Sequence, residues 1–212
     1  HLYCAERRAG SLDRWHPPNE LKARPQDGRL GFAVGDQSAF SMNDWSFSQL
    51  CRLASVSKDT VNRVSADTAS RIFGETLSRE GNKPLQLYTE GQMLRSIHGT
   101  SYTRVHDVDL VSILQEFAVD FQPPQKGMNG GTGLYCGEQD MFCFLIDPTG
   151  WAEIDGEAFA PGFYVWNSEV GKRSVGISTF WFQAVCCNHI IWDATEVVEF
   201  TRKHGVDPTV VS

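Results

Sequence analysis

The sequence predicts an α+β fold with a largely antiparallel sheet and with helices concentrated in the N-terminal half. Apolar residues recur at helical spacing between residues 44 and 79, whereas short strand-like segments separated by turn residues dominate residues 134–187. These later segments follow one another too closely for helical crossovers, so we expect antiparallel neighbours. Helix-rich and strand-rich regions in succession are typical of the α+β class.

The first third of the chain predicts a lead-in, one strand and three helices. Residues 1–28 are polar, with Pro17-Pro18 and scattered arginines, and are expected to form an irregular arm. Residues 30–34 (LGFAV) predict a strand between two turn glycines. Residues with capping side chains then introduce helices, and the predicted ranges are 44–54 after Asn43, a short helix from Ser57 to about Val64, and 66–79 before Gly81.

The rest of the chain predicts a hairpin, two more helices and a series of strands. Residues 85–88 and 93–97 flank Glu90-Gly91-Gln92, which indicates a hairpin. Asp107 is expected to cap a helix with its core face at Leu110, Ile113, Leu114 and Phe117. After a loop over 121–133, the predicted elements are strands at 134–137, 140–146, 151–154, 162–166 and 174–187 and a final helix at 194–204. We expect one α+β domain over 29–205 and a tail at 206–212.

Composition and charge exclude several classes of protein. The 212 residues are 41% hydrophobic and 21% charged, which excludes an intrinsically disordered chain. The net charge of −7 argues against a large electrostatic footprint for nucleic acid. Seven acidic residues and no Lys or Arg lie between Cys136 and Val170, so the remainder is neutral and has room for a local basic surface.

Six cysteines at irregular spacings predict reduced, mostly buried thiols in a cytoplasmic protein. There is no C-x-x-C pair, so we expect no zinc ribbon and no cofactor. Zinc needs four converging ligands, and a nucleophile needs a cysteine beside a histidine. The spacing of the candidates, which are Cys186 and His189, Cys136 and Cys143, and His98 and His106, does not bring them together. No apolar run approaches about 18 residues, and no signal-peptide pattern is present, so no membrane partner is expected.

Four segments resemble the phage/plasmid-like protein family known as domain of unknown function 932. They are SFSQLC at 46–51, LRSIHGTSY at 94–102, NSEVG at 167–171 and VCCN at 185–188, and the resemblance covers about residues 29–205. It implies a protein of phages, plasmids or integrated elements that acts in DNA transactions. The motif positions it implies are Arg95, Tyr102, Asn167, Ser168, Glu169 and Asn188. The family pattern is altered at Gly99-Thr100, His106-Asp107 and His189.

Residues 51–64 are similar to the DNA-binding helical hairpin of lactose-repressor-type regulators. Ala54 and Val56 are small or apolar where two helices would cross, and Ser55 replaces the usual turn glycine. Donors for phosphates and base edges follow at Lys58, Thr60, Asn62 and Arg63. The alternative is a helical hairpin that packs on a sheet.

Three further patterns each have a functional and a structural interpretation. Asn167 to Glu169 form either a ligand site or a conformational device between strands, with Glu169 as a buried anchor for Arg95. Acids at Asp147, Glu153 and Asp155 either bind Mg²⁺ for nuclease chemistry or form a solvated strand edge. The aromatic residues near Lys172 and Arg173 either stack unpaired bases or fill a core, and they are Trp166, Phe180, Trp181, Phe182 and Trp192.

The leading hypothesis from the sequence is a non-enzymatic, DNA-associated protein of a mobile element that handles single strands. DNA is the expected partner, with protein partners or self-association as further options. The alternatives are a structural or self-assembling interaction protein and a metal-dependent nuclease.

Overall fold

The chain forms two compact units, each built from helices and strands. In the computed structural model the described residues are 2–35, 39–79, 81–123, 133–183, 199–202 and 204. The N-terminal unit comprises residues 6–103, and the C-terminal unit comprises residues 104–204 together with the first five residues. The strands are mostly antiparallel, which confirms the α+β class. The predicted domain limits at residues 28 and 205 differ from this division and stay a prediction.

The N-terminal unit contains four helices and six strands among the described residues. In chain order they are α1 (Leu2–Gly10, which crosses the division between the units), β1 (Ser11–His16), a 3-10 turn (Pro18–Glu20), β2 (Leu21–Gln26), β3 (Arg29–Val34), β4 (Ser41–Met42), α2 (Asp44–Leu53), α3 (Lys58–Asn62), α4 (Ala66–Leu77), β5 (Leu85–Glu90) and β6 (Met93–Gly99). A four-stranded sheet has the order β1-β5-β6-β4, and β2 and β3 form a separate hairpin.

The structure corrects the irregular arm that was expected over residues 1–28. A helix, two strands and a 3-10 turn cover most of this segment. β1 pairs with β5, so that Ser11 lies opposite Glu90. The sequence pattern around β1 does not reveal this pairing, because its partner lies more than seventy residues away.

Capping side chains begin the three helices α2, α3 and α4, as predicted for α2 and α3. The Asn43 side-chain oxygen accepts a hydrogen bond from the Ser46 backbone N–H at 2.8 Å. Ser57 and Ser65 cap α3 and α4 in the same way. Each such cap contributes about 1 kcal/mol to stability. The helices cover a core that includes Phe32, Leu50, Phe73 and Leu87, all fully buried.

Over its described residues from 104 onwards, the C-terminal unit is an antiparallel sheet with one helix. Its elements are α5 (Asp107–Phe117), β7 (Leu134–Cys136), β8 (Met141–Ile146), β9 (Ala152–Ile154), β10 (Glu157–Asn167), β11 (Val175–Gln183) and β12 (Glu199–Arg202). The strand order is β12-β11-β10-β8-β7, and β9 pairs with β10. No helix within the described residues is both long and apolar enough to span a bilayer.

The structure corrects two predicted helical patterns in this unit. The predicted helix at 194–204 is a strand over Glu199–Arg202, because this segment pairs with β11; residues 194–198 lie outside the described residues. In α5, Leu110 and Leu114 pack in the apolar cluster as predicted, together with Val111, whereas Ile113 and Phe117 are 41% and 75% exposed. The N-cap is His106 and not the predicted Asp107, which is the first helical residue and is held in a buried polar cluster that turns Val111 inward.

The predicted concentration of helices in the N-terminal half is not clearly met. That half also supplies six strands, from Ser11 to Gly99. Helix α5 lies beyond it, in the strand-rich unit. Helices and strands are therefore mixed in both units, and the α+β class and its mostly antiparallel pairing are confirmed.

Two glycines let aromatic rings lie across the strands β10 and β11. Gly176 pairs with Trp166, and Gly162 pairs with Phe180. A Cβ atom on Gly176 would lie 2.2 Å from Cζ2 of Trp166, and one on Gly162 would lie 2.7 Å from Cζ of Phe180. Each strand therefore supplies an aromatic ring that covers a glycine of its neighbour, an arrangement that helps to set strand register.

The variant Gly176→Ala is expected to lower the free energy of unfolding by about 2–3 kcal/mol, because the new methyl group overpacks the Trp166 ring. Gly74→Ala is the matched control. No atom lies within 4 Å of a Cβ at this exposed position in α4, so alanine should stabilise the helix by up to about 1 kcal/mol. Urea unfolding measures the free energy of unfolding of both variants. Equal stability of the two variants would contradict the close packing of the Trp166 ring on Gly176.

Candidate functional site

The helical hairpin α2–α3 has the turn that the DNA-binding hypothesis requires. Ser55 adopts a φ of +55°, the left-handed conformation that a glycine usually supplies at this point. The Val56 backbone N–H donates to the Cys51 carbonyl at 2.9 Å and closes the turn. Leu50 and Val61 anchor the two helices in the core. This geometry is consistent both with the DNA-binding hypothesis and with its alternative, a helical hairpin that packs on a sheet.

The polar residues of the hairpin differ in their availability for a ligand. Lys58 Nζ lies 2.5 Å from Asp44 Oδ1 and 2.9 Å from Ser48 Oγ, so it joins the start of α3 to α2. Asn62 and Arg63 are exposed. The structure therefore engages Lys58 within the fold and leaves the other predicted donors, Asn62, Arg63 and the exposed Thr60, facing solvent.

Two neighbouring clefts that the sequence did not predict lie in the N-terminal unit. The smaller has a volume of about 400 Å³, and its lining includes Arg29, Phe47 and Asn62. The larger has a volume of about 990 Å³, and its lining includes Arg24, Arg29 and Gln92. Arg29 contributes to both. Arg24 lies in the segment expected to be irregular, and Arg29 directly precedes the predicted strand at 30–34, so neither was predicted as a site residue, although the excess of basic residues near them was a usable signal.

Charge is divided unequally between the units. Residues 6–103 contain thirteen lysines and arginines and eleven acidic residues, whereas residues 104–204 contain six and fourteen. The N-terminal unit is therefore the one whose charge suits a polyanion. The surplus of basic residues in this unit is small, and the larger cleft is also lined by an acidic residue, Asp27.

Arg95 and Tyr102, two family-motif residues, lie in the N-terminal unit and make internal contacts. Arg95 is 3% exposed. Its Nε lies 3.3 Å from Glu90 Oε2, and its guanidinium group lies 5.1 Å from the centre of the Tyr88 ring. Tyr102 stacks on His98 with ring centres 3.7 Å apart. These contacts support the end of the β5–β6 hairpin.

Asn167 and Ser168, at the end of β10, are fully buried and bind other segments of the C-terminal unit. The Asn167 amide donates to the Val105 carbonyl and to Asp107 Oδ1, both at 2.8 Å. Ser168 Oγ donates to the Gln139 carbonyl at 2.5 Å. Within the described residues, no hydrogen-bond partner is found for Asn167 Oδ1.

Glu169 completes this buried polar cluster. Its Oε1 accepts a hydrogen bond from the Asp107 backbone N–H at 3.0 Å and lies 3.6 Å from His106 Nδ1. Its backbone carbonyl accepts from Arg104 Nη1. The motif therefore joins the end of β10 to the first residue of α5, which favours a conformational device. The predicted pairing of Glu169 with Arg95 stays a prediction.

The aromatic residues of β10 and β11 occupy both faces of the sheet. Trp166, Phe180 and Phe182 are buried, while Trp181 is 38% exposed. The first three therefore fill a core. Lys172 is exposed, and so is Arg173, whose Nη2 lies 3.8 Å from Asp140 Oδ2. Trp192 and Asn188 lie outside the described residues.

The acidic residues of the nuclease hypothesis lie in a loop, a strand and a turn: Asp147 in the loop between β8 and β9, Glu153 in β9, and Asp155 in the β9–β10 turn. Asp147 Oδ1 accepts hydrogen bonds from Thr149 N and Thr149 Oγ1, both at 2.8 Å. These bonds lower the pKa of Asp147. Asp155 has a φ of +54° and forms the β9–β10 turn with Gly156. In the ranges that the structure describes, no three His, Cys, Asp or Glu side chains gather as metal ligands.

Asn167→Ala is expected to destabilise the C-terminal unit by about 3 kcal/mol, because it leaves the Val105 carbonyl and Asp107 Oδ1 without their amide donor. The control is Asn19→Ala, which removes only an exposed hydrogen bond to Asn82 and should change stability by less than about 0.5 kcal/mol. Thermal unfolding of both variants provides the test. A loss at Asn167 no larger than that of the control would contradict the buried network.

The Asp147 carboxyl is expected to titrate below its ordinary pKa of 3.8, because Thr149 hydrogen-bonds the charged form. The corresponding stability is present above the unfolded-state pKa and is lost as the pH falls through the lowered one. Thr149→Val removes the hydroxyl donor and should raise the pKa, whereas Thr149→Ser should leave it low. Carbon-13 NMR titration of the carboxyl measures all three proteins, and identical curves would refute the assignment.

Comparisons with known proteins identify no relative of this chain. No family model, curated protein or solved structure matches it. The resemblance to domain of unknown function 932 therefore stays a prediction.

Proposed function

We propose that this is a non-enzymatic, DNA-associated protein of a mobile genetic element and that its N-terminal unit contacts DNA. The observation that carries the proposal is that Asn62 of the helical hairpin and Arg29 of β3 line one pocket. An amide and a guanidinium group at one cleft are suited to a base edge and a phosphate, respectively.

The distribution of charge supports the N-terminal unit as the DNA-binding part. Arg24, Arg29 and Arg63 are exposed, and residues 6–103 carry a small basic surplus, while residues 104–204 carry a large acidic one. Phosphate contacts by lysine and arginine supply most of the sequence-independent affinity of DNA-binding proteins. The net charge of −7 therefore does not argue against a local contact between the N-terminal unit and DNA.

The dimensions of the site favour a single strand over a duplex. The five residues of α3 make a helix about 7.5 Å long, which is short for an element that must lie along the major groove. The smaller cleft, at about 400 Å³, falls in the size range of small-molecule pockets. An unpaired nucleotide can enter such a cleft, whereas a paired base cannot leave its stack without cost.

Self-association is the second candidate function, and one observation favours it. β1 is the edge strand of the four-stranded sheet, and its Leu12 and Trp15 are 56% and 55% exposed. Edge strands with exposed apolar residues can pair with another chain. In the described part of the chain, no three His, Cys, Asp or Glu side chains are arranged to hold a metal ion, so the nuclease alternative has no comparable support.

Fluorescence anisotropy with labelled single-stranded and duplex oligonucleotides tests the proposal. At low salt we expect the single strand to bind more tightly, with affinity that falls steeply as salt rises. Arg29→Ala and Arg63→Ala should each weaken binding roughly 5- to 10-fold and lower the salt slope by about one. The control is Lys83→Ala, which changes an exposed residue that lines neither cleft.

Two results would contradict the proposal. The first is the absence of salt-sensitive binding by the unmodified protein at micromolar concentration. The second is binding that Lys83→Ala weakens as much as the two arginine variants do. A molar mass that rises with protein concentration, in the absence of DNA binding, would favour self-association instead. Preference for the duplex would retain DNA association and reject the single-strand assignment.

A further inference from the structure

Two cysteines that are 132 residues apart in sequence meet in the C-terminal unit. The Sγ atoms of Cys4 and Cys136 are 3.4 Å apart. Cys4, in the first turn of α1, is 1% exposed, whereas Cys136, at the end of β7, is partly exposed. Neither forms a disulfide in the structure.

Hydrogen bonds connect the two thiols to the buried polar cluster. The Cys136 thiol donates to Asp107 Oδ2 at 3.6 Å. Because a thiol has one hydrogen, Cys4 is then the donor to the Cys136 sulfur. Asp107 Oδ1 in turn accepts the Asn167 amide. A continuous chain of hydrogen bonds therefore runs from Cys4 through Cys136 to Asp107, at the start of α5, and on to Asn167.

We propose that Cys4 and Cys136 form a dithiol site that small-molecule disulfides, such as oxidised glutathione, convert reversibly into an intramolecular disulfide. The separation of the sulfurs exceeds the bond length of about 2.05 Å by only about 1.4 Å. A small adjustment of the two side chains therefore brings the atoms to bonding distance.

The reaction proceeds as two thiol–disulfide exchanges. The Cys136 sulfur, as its thiolate, attacks one sulfur of oxidised glutathione, and the S–S bond of glutathione breaks to release one glutathione thiolate. The Cys4 sulfur then attacks Cys136 in the mixed disulfide and releases the second glutathione. The protein loses two thiol hydrogens, and two glutathione molecules carry them away, so glutathione is reduced as the protein is oxidised. Excess reduced glutathione reverses both steps.

Exposure determines which thiol reacts first. Cys136 is partly exposed, whereas Cys143, in the same apolar cluster, is buried. Burial raises the pKa of the Cys143 thiol to about 11, and it also raises that of Cys51. Since the thiolate is the nucleophile in exchange, these two cysteines are poor competitors.

The disulfide would attach the first turn of α1 to the edge strand β7. It would close a loop of more than 130 residues, which restricts the unfolded chain and so stabilises the fold. It would also remove the thiol donor from Asp107, which is 1% exposed. The site therefore links the redox state of two cysteines to the hydrogen bonds of the buried cluster.

Peptide mapping of the intact protein after equilibration with oxidised and reduced glutathione tests the site. Free thiols are alkylated, and the protein is digested without reductant and analysed by mass spectrometry. We expect a Cys4–Cys136 linked peptide in oxidising buffer and its loss in reducing buffer. We also expect a midpoint of thermal unfolding roughly 5 °C higher in the oxidised protein.

Variants show whether the pairing is specific. Cys143→Ser should leave the linked peptide unchanged, and Cys136→Ala should abolish both it and the thermal shift. Mapping of the unmodified protein decides the question even if Cys136→Ala fails to fold. The proposal is overturned if both thiols stay alkylatable in oxidising buffer. A stable mixed disulfide at Cys136, or pairing of Cys4 or Cys136 with any other cysteine, would overturn it too.

Discussion

The C-terminal unit depends on the burial of Asp107 at the first position of α5. A buried carboxylate is costly unless hydrogen bonds satisfy it, and here the Asn167 amide and the Cys136 thiol donate to its two oxygens. Glu169 adds a bond to the Asp107 backbone N–H. The end of β10, the end of β7 and the start of α5 must therefore meet at one point. The same requirement turns Val111 inward and leaves Phe117 in solvent.

The residues of the NSEVG motif and those of the helical hairpin have different physical roles in this protein. Asn167, Ser168 and Glu169 are buried and form hydrogen bonds with other segments of the C-terminal unit, so their motif has a structural role before any ligand is considered. Asn62 and Arg63 face solvent. An exposed polar group loses little by exchanging water for a ligand, whereas a buried one must first give up an internal bond. This difference in exposure favours the N-terminal unit as the part that binds a ligand.

The two units also differ in what they offer a partner. The N-terminal unit presents clefts with exposed arginines, while the C-terminal unit combines an acidic surplus with a sheet of tightly interlocked aromatic rings. Close approach of rings such as Trp166 to Gly176 leaves no room for added atoms. A surface contact with DNA and an internal redox pair are therefore compatible, because they use different residues of different units.

Local sequence determined those features of the fold that act over a few residues. Asn43, Ser57 and Ser65 mark helix starts because their side chains reach backbone N–H groups three positions ahead. Gly91, with a φ of +53°, marks the β5–β6 hairpin because glycine tolerates that conformation. The sequence also indicated the α+β class and the exposed pair Asn62 and Arg63.

Only the tertiary structure decided the features that depend on partners far along the chain. The pairing of β1 with β5, the strand at Glu199–Arg202, the meeting of Cys4 with Cys136 and the pocket shared by Arg29 and Asn62 are of this kind. Backbone groups and side chains are satisfied by whichever distant segment the fold brings near, and no local pattern records that segment. Long-range pairing therefore overrides local propensity.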